Sequence, residues 1–233
     1  MRTVCLVAML LALTLALCLS ARAPRSAGAE TGEFQVTFTA INHSLDNNDN
    51  FSKDNRYLVY DTRETLGAGI GNCTSIMKVD ITTGKESVVY APQPVIVDPT
   101  NPAPGLGAAS FSPVADEVVF IHGPFVSETP ALGFYGTTNR RGAVAAGDGS
   151  GRVYFLDARD VTSEITTPGA HRGGSHRHEY SLDGRRVGFT YDDHLLTPAG
   201  YGRTVGMMVP HPKAPAGATH WSVLLVPIVP TSV

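Results

Sequence analysis

The chain has 233 residues, with 18 Lys and Arg against 21 Asp and Glu, for a formal net charge of −3. That near-neutral balance, with no basic stripe, argues against nucleic acid as a partner. With 24 Gly, 16 Pro and only 17% charged residues, and no helical apolar period in the mature part, the composition excludes a helical bundle and points to a turn-rich, all-β chain.

Residues 1–29 read as a secretory signal peptide. Arg2 gives a positive start, Val4 to Leu19 is almost wholly apolar, and Ala21-Arg22-Ala23 and Ala27-Gly28-Ala29 are small-residue cleavage patterns. The apolar run is short for a membrane span, which needs about 20 residues. The expectation is a periplasmic or secreted protein with no membrane contact after signal removal. Cys18 invites a lipoprotein reading, but the large Leu17 before it argues against such processing. Two of the three cysteines leave with the signal, so Cys73 stands alone and no intrachain disulfide framework exists. No His or Lys adjoins Cys73 in sequence, which reads it as a buried spectator.

The mature part repeats one phrase. Phe51-Ser52-Lys53-Asp54-Asn55, Phe111-Ser112-Pro113-Val114-Ala115-Asp116 and Tyr180-Ser181-Leu182-Asp183-Gly184 each join an aromatic residue, a serine and a short turn. An apolar strand follows each copy: Tyr57–Asp61, Val118–Ile121 and Val187–Tyr191. The serines lie 60 and 69 residues apart, which is the spacing of repeated supersecondary units. Third strands are expected at 75–80 and 152–157, and a fourth at 86–90 after the turn Thr82-Thr83-Gly84-Lys85. Four short antiparallel strands per unit is the layout of a β-propeller blade. A β-sandwich does not explain the recurring turn. The three serines themselves read as turn-formers rather than nucleophiles.

Blades are placed near 34–92, 105–168 and 170–209, giving an incomplete propeller of about three four-stranded blades. The stretches 92–107 and 123–151 are Pro-, Gly- and Ala-rich and are expected to be surface loops. Gly67-Ala68-Gly69-Ile70-Gly71 is read as a flexible loop. Residues 210–233 form an atypical tail, Pro-rich and then apolar, with no fourth copy of the phrase. The chain therefore reads as a C-terminally incomplete propeller: a truncated or frame-shifted product, or one that needs a partner to close.

Several segments resemble a known family. Val119-Phe120-Ile121-His122-Gly123-Pro124, Arg140-Arg141-Gly142, Gly173-Gly174-Ser175-His176-Arg177-His178, Phe189-Thr190-Tyr191-Asp192-Asp193-His194 and Val205-Gly206 are similar to the exported YidR-like bacterial family. The aromatic-Ser turns are shared with TolB-like propeller repeats. The resemblance covers about residues 34–209 and implies a TolB-like propeller outside the cytoplasm, without supplying an activity. Members of that family are considerably longer than this chain.

The histidine-rich stretch holds the chemistry. His171, His176, His178 and His194 cluster in sequence, and His176 and His178 are two residues apart on an expected strand, so both would point to one face. In propellers of the kind the resemblance implies, that strand is innermost and lines the channel. Two same-facing imidazoles suit a divalent transition metal such as Mn, Zn or Fe. Counting back from each serine, His178 corresponds to Asp49, so the expected metal set is His176, His178 and Asp49. Arg172 and Arg177 are candidates to hold an acidic group, with His194 and His122 beside them. His122 also suits a cap before Gly123-Pro124.

Two functions are consistent with these features. The first is an exported binding or scaffold protein for a protein or carbohydrate ligand. The second is a metal-dependent carbohydrate lyase or hydrolase similar to oligogalacturonate lyases, in which a metal would acidify the proton beside a uronate carboxylate.

Overall fold

A computed structural model describes residues 32–65 and 69–231. The expected signal peptide, with its cleavage patterns and Cys18, lies outside the described residues, as do Gly67 and Ala68. The chain divides into two units, residues 1–38 and 39–233. The described part of the first, residues 32–38, carries neither helix nor strand.

The second unit is dominated by three antiparallel sheets. The first holds β1 (Tyr57–Asp61), β2 (Ile76–Asp80) and β3 (Glu86–Tyr90). The second holds β4 (Leu106–Phe111), β5 (Glu117–His122), β6 (Arg141–Ala146) and β7 (Val153–Phe155). The third holds β8 (Gly174–Tyr180), β9 (Val187–Asp192), β10 (Thr204–Pro210) and β11 (His220–Leu224). Within each sheet the strands lie in chain order, and each sheet is open. Helical structure among the described residues is limited to Thr129–Leu132 and the 3-10 turns Ile70–Asn72 and Val126–Glu128, the former inside the expected Gly-rich loop.

The repeated phrase closes a hairpin the same way each time. The backbone N–H of Ser52, Ser112 and Ser181 donates to the carbonyl five residues on, at 2.9 Å to Tyr57, 2.8 Å to Glu117 and 2.8 Å to Arg186. Ser52 Oγ donates to Asp54 at 2.6 Å and accepts the Tyr57 N–H at 2.9 Å. Ser181 Oγ donates to Asp183 at 2.6 Å and accepts the Arg186 N–H at 3.0 Å. Ser112 Oγ accepts from Val114 and Ala115 at 3.3 and 3.2 Å. All three hydroxyls are occupied in building turns.

The second sheet lies between the other two. Val118, Phe120, Ala143 and Ala145 pack with Val59, Ile76 and Val89 of the first sheet. Val119, Val144 and Leu156 pack with Val187, Phe189, Tyr191 and Met208 of the third. Burial on both faces explains a correction: residues 123–151, expected to be a surface loop, contain the interior strand β6. Its Gly142-Ala143-Val144-Ala145 run is fully buried, and a strand with two apolar faces shows no alternation to read. The stretch 92–107 is corrected likewise. Its second half, from Pro102 onward, is buried, and Ile96 bridges Ala103 before the chain enters β4.

Two further departures concern the ends of the repeat. Residues 44–51 form no strand alongside β1 and pair with it through the isolated bridges Ser44–Asp61 and Phe51–Leu58, leaving the first sheet with three strands. The Asn50 carbonyl accepts the Val59 N–H at 2.9 Å. The Asn-rich run there also bonds backbone through its side chains: Asn50 Nδ2 donates to the carbonyls of Val59 and Ala109, both at 3.1 Å. At the other end, the tail supplies β11, whose Trp221 pairs with Val209 and completes the third sheet.

The leading strands β4 and β8 share one irregularity. Pairing with the next strand skips between Gly107 and Ser110 in β4, and between His176 and Glu179 in β8. Ala108 and Arg177, at equivalent positions four residues before their serines, both have φ of 51°. The β-bulge is thus part of the repeat.

Candidate functional site

The bulge decides where the histidines point. The extra residue at Arg177 breaks the alternation that would place His176 and His178 on one face. His178 turns inward, is wholly buried and stacks near Phe189. Gly142 of β6 makes room for it: a Cβ there would stand 2.9 Å from the imidazole Cδ2 and Nε2. His176 remains part-buried, with Nδ1 3.2 Å from Thr190 Oγ1. Asp49 is also part-buried, its carboxyl pushed up by burial and by Glu179. Its backbone carbonyl accepts the Phe111 N–H at 2.7 Å. Among the described residues, no group of three or more His, Cys, Asp or Glu side chains is arranged to hold a metal ion.

His178 belongs instead to an interior polar network. Its Nε2 lies 2.9 Å from Ser175 Oγ, and Ser175 Oγ donates to Asp157 Oδ2 at 2.7 Å. His171 Nε2 reaches the same carboxylate oxygen at 2.7 Å, and the Gly142 N–H donates to Asp157 Oδ1 at 2.7 Å. The segment after β7 pairs with the one before β8 through a parallel bridge between Arg159 and His171, which brings Asp157 and His171 together. Burial opposes ionisation of Asp157. The hydrogen bond and charge of His171, the charge of His178 and the Ser175 bond outweigh it, holding the carboxyl below the usual range. For His178, burial dominates and brings the imidazole down to about 4.

Ser, His and Asp within hydrogen-bond reach raise the question of a nucleophilic triad. The wiring is the wrong way round. In a triad the acid holds the second nitrogen of the imidazole, leaving the serine proton for the first. Here Asp157 takes the serine's one proton, so Nε2–H of His178 donates to Oγ, while His178 Nδ1 is buried without a partner. The network ties the second sheet to the third.

His176 faces different company. Asp192 joins Arg140 at 3.2 Å to Arg203 at 2.7 Å. Arg140 also donates through Nη1 to Tyr135 Oη at 3.1 Å, while its Nε is buried without a partner. Arg177, carried out by the bulge, donates to the Asp46 carbonyl. Burial first, then Arg140, Arg203, His178 and Arg177 hold the His176 imidazole down to about 2. Asn47, at the position equivalent to His176, stitches the neighbouring segments together. Its Nδ2 donates to the Ala108 carbonyl at 2.7 Å, Ser110 Oγ at 2.8 Å and the His178 carbonyl at 3.2 Å. Close by, the buried Arg63 pairs with Asp61 and, at 3.2 Å, with Asp46.

The other expected ligand residues lie elsewhere. Arg172 is spent on Asp193, at 3.2 Å from Nε and 3.1 Å from Nη2. His194 Nδ1 is 3.2 Å from Thr138 Oγ1. His122 is fully buried among Tyr90, Phe120, Phe125 and Phe155, and burial lowers it to about 3. Its Nδ1 meets the Gly123 carbonyl and its Nε2 the Tyr90 hydroxyl at 3.2 Å, so it caps the turn after β5. Sequence reasoning passed over Ser175, Asp157, Arg140, Arg203 and Asp192. Arg140, Ser175 and Asp192 stand in the segments that carry the family resemblance, which was the available signal for these three.

A family model and a sequence relative agree on kinship. Residues 105–221 match the family described as "Protein of unknown function (DUF3748)". Over 210 residues the chain is 36% identical to "Uncharacterized protein YidR" of Escherichia coli (strain K12), covering 84% of this chain and 46% of the relative. The chain thus spans about half the length of that relative. Solved structures similar to it include TolB from Acinetobacter baumannii, at 15% identity and a TM-score of 0.47, over 88% of this chain and 37% of that one. A putative TolB from Agrobacterium tumefaciens gives 14% and 0.44, over 84% and 53%. The chain belongs to the DUF3748 family, the YidR-like group that its histidine-rich stretch resembles.

Proposed function

We propose that this chain is part of an exported β-propeller that acts as a binding module, and that its ligand is an acidic carbohydrate met beside His176. Three antiparallel sheets with the same strand order, the same serine turn and a bulge shared by β4 and β8 support a radial repeat. The apolar leader with its small-residue cleavage patterns supports export. The observation that carries the ligand class is the part-exposed His176 imidazole under the influence of three guanidinium groups, Arg140, Arg177 and Arg203. Asp192 is the carboxylate shared by two of them. Cations gathered around a neutral imidazole attract carboxylates, which guanidinium recognises through paired hydrogen bonds.

Calorimetric titration with oligogalacturonate and with a neutral oligosaccharide of equal length tests this reading. The acidic sugar should bind, its affinity should fall as salt rises, and Arg203→Gln should weaken it by about tenfold or more. Equal binding of both sugars, or of neither, refutes the assignment.

A further inference from the structure

A polar cavity, sharing no residue with the surroundings of His176, lies beside the entry to β6 and the exit of β7. It measures about 150 Å³ and is lined by Leu132, Asn139, Arg141, Asp157, Arg159 and Gly217 among others. The loop between β10 and β11 forms part of its wall. That loop is pinned by the Thr219 and His220 N–H groups, which donate to the carbonyls of Phe155 at 3.1 Å and Leu156 at 2.9 Å. Trp221 Nε1 fastens it again by donating to the Lys213 carbonyl at 2.8 Å.

The charges around this space are unevenly matched. Asp157 is saturated by His171, Ser175 and the Gly142 N–H. Asn139 is also spent: Nδ2 donates to the carbonyls of Leu132 and Phe134, and Oδ1 accepts from Gly136. Arg141 pairs with Glu128 at 2.8 Å through Nη2 and lies over the Phe155 ring, with Nε and Nη1 uncommitted among the described residues. Arg159 donates only to carbonyls, from Nε to Gly173 at 3.0 Å and from Nη2 to Thr138 at 2.9 Å. Its Nη1 has no protein acceptor among the described residues, and no carboxylate forms an ion pair with it. Burial, and then the like charge of Arg141, hold Arg159 below the usual arginine range. A part-buried cation without a paired anion is costly, and a bound anion offsets that cost.

We propose that this cavity binds a small organic carboxylate, held between the Arg159 and Arg141 guanidinium groups. The nearby Asp157 charge offsets the Arg159 cation only in part and forms no ion pair with it, and the same ionised carboxylate in the wall disfavours a dianion, so a single negative charge fits best. Leu132, Ala158 and Ala216 supply an apolar flank that suits a carbon-bearing acid better than inorganic phosphate.

The test uses the full chain, with acetate and glycolate as probes and inorganic phosphate as the counter-probe, followed by NMR titration. Saturable binding of the carboxylates is expected. Arg159→Gln should weaken it by about tenfold or more, and Ala216→Phe, which fills the space without touching a charge, should abolish it. Arg203→Gln should leave it unchanged, which separates this site from the one beside His176. Absence of saturation, phosphate binding as tightly as acetate, or unaltered affinity in Arg159→Gln overturns the proposal. If Arg159→Gln does not fold, Ala216→Phe decides the matter: retained binding there overturns it.

Discussion

Acid should destabilise this protein through two buried imidazoles, and the size of the effect follows from the structure. His122 and His178 are wholly buried, with values lowered to about 3 and about 4 in the folded chain. In the unfolded chain both return to about 6.5. Between these limits the unfolded state binds more protons than the folded one, so stability rises with pH through this window and is fully regained above about 6.5. Going from pH 7 to pH 5, linkage assigns about 2 kcal/mol of lost stability to each histidine, or about 4 kcal/mol together. His122→Phe isolates one contribution, because the ring already sits among Tyr90, Phe120, Phe125 and Phe155. Urea unfolding at the two pH values should show a loss smaller by about 2 kcal/mol in the variant than in the wild type. Comparing the pH-dependent losses removes the baseline cost of the substitution. An identical loss in both proteins would show that His122 is not held neutral by burial.

Three other outcomes follow from the geometry. Gly142→Ala would drive a Cβ to 2.9 Å from the His178 ring and 3.3 Å from Leu156 Cδ1. It should cost about 1–3 kcal/mol in urea unfolding, and a near-zero cost would mean that His178 yields freely. Arg203→Gln removes one of the guanidinium groups that disfavour a charged His176, so its titration followed by NMR should move to higher pH; no movement would place Arg203 outside its influence. Cys73 is buried, with its thiol pushed up to about 11, chiefly by burial and also by Asp61. Thiol reagents should therefore label it only at the rate of unfolding, and fast native-state labelling would contradict its burial.

Much of the architecture is written locally, and what escaped reading is non-local. Tyr57–Asp61 and Glu86–Tyr90 appear at the bounds expected of them because each is a short apolar run between turn residues. β6 escaped because Gly142-Ala143-Val144-Ala145 is covered on both faces, and composition alone does not separate such a strand from a small-residue loop. β11 escaped because its Trp221-Ser222-Val223 stretch follows a proline-rich loop and takes its place only by pairing with β10. The polar centre shows the same limit. His176 and His178 are two residues apart, yet a bulge at Arg177 sends one inward and leaves the other part-exposed. The inward one meets Ser175 nearby and Asp157 from the preceding sheet, a meeting that no spacing along the chain announces.

The left-handed kinks at Ala108 and Arg177 carry a consequence for solubility. An uninterrupted margin of a sheet is a template onto which a stray extended segment can add, rung by rung, and that is how many β-rich proteins begin to clump. A kinked margin offers no such continuous ladder, because its amides and carbonyls fall out of step after a few residues. In this chain the Ala108 carbonyl at one kink, and the His178 carbonyl just past the other, are already engaged by Asn47. The leading margins of the second and third sheets are therefore closed by backbone geometry and one amide, with the charged Arg177 side chain standing at the second kink.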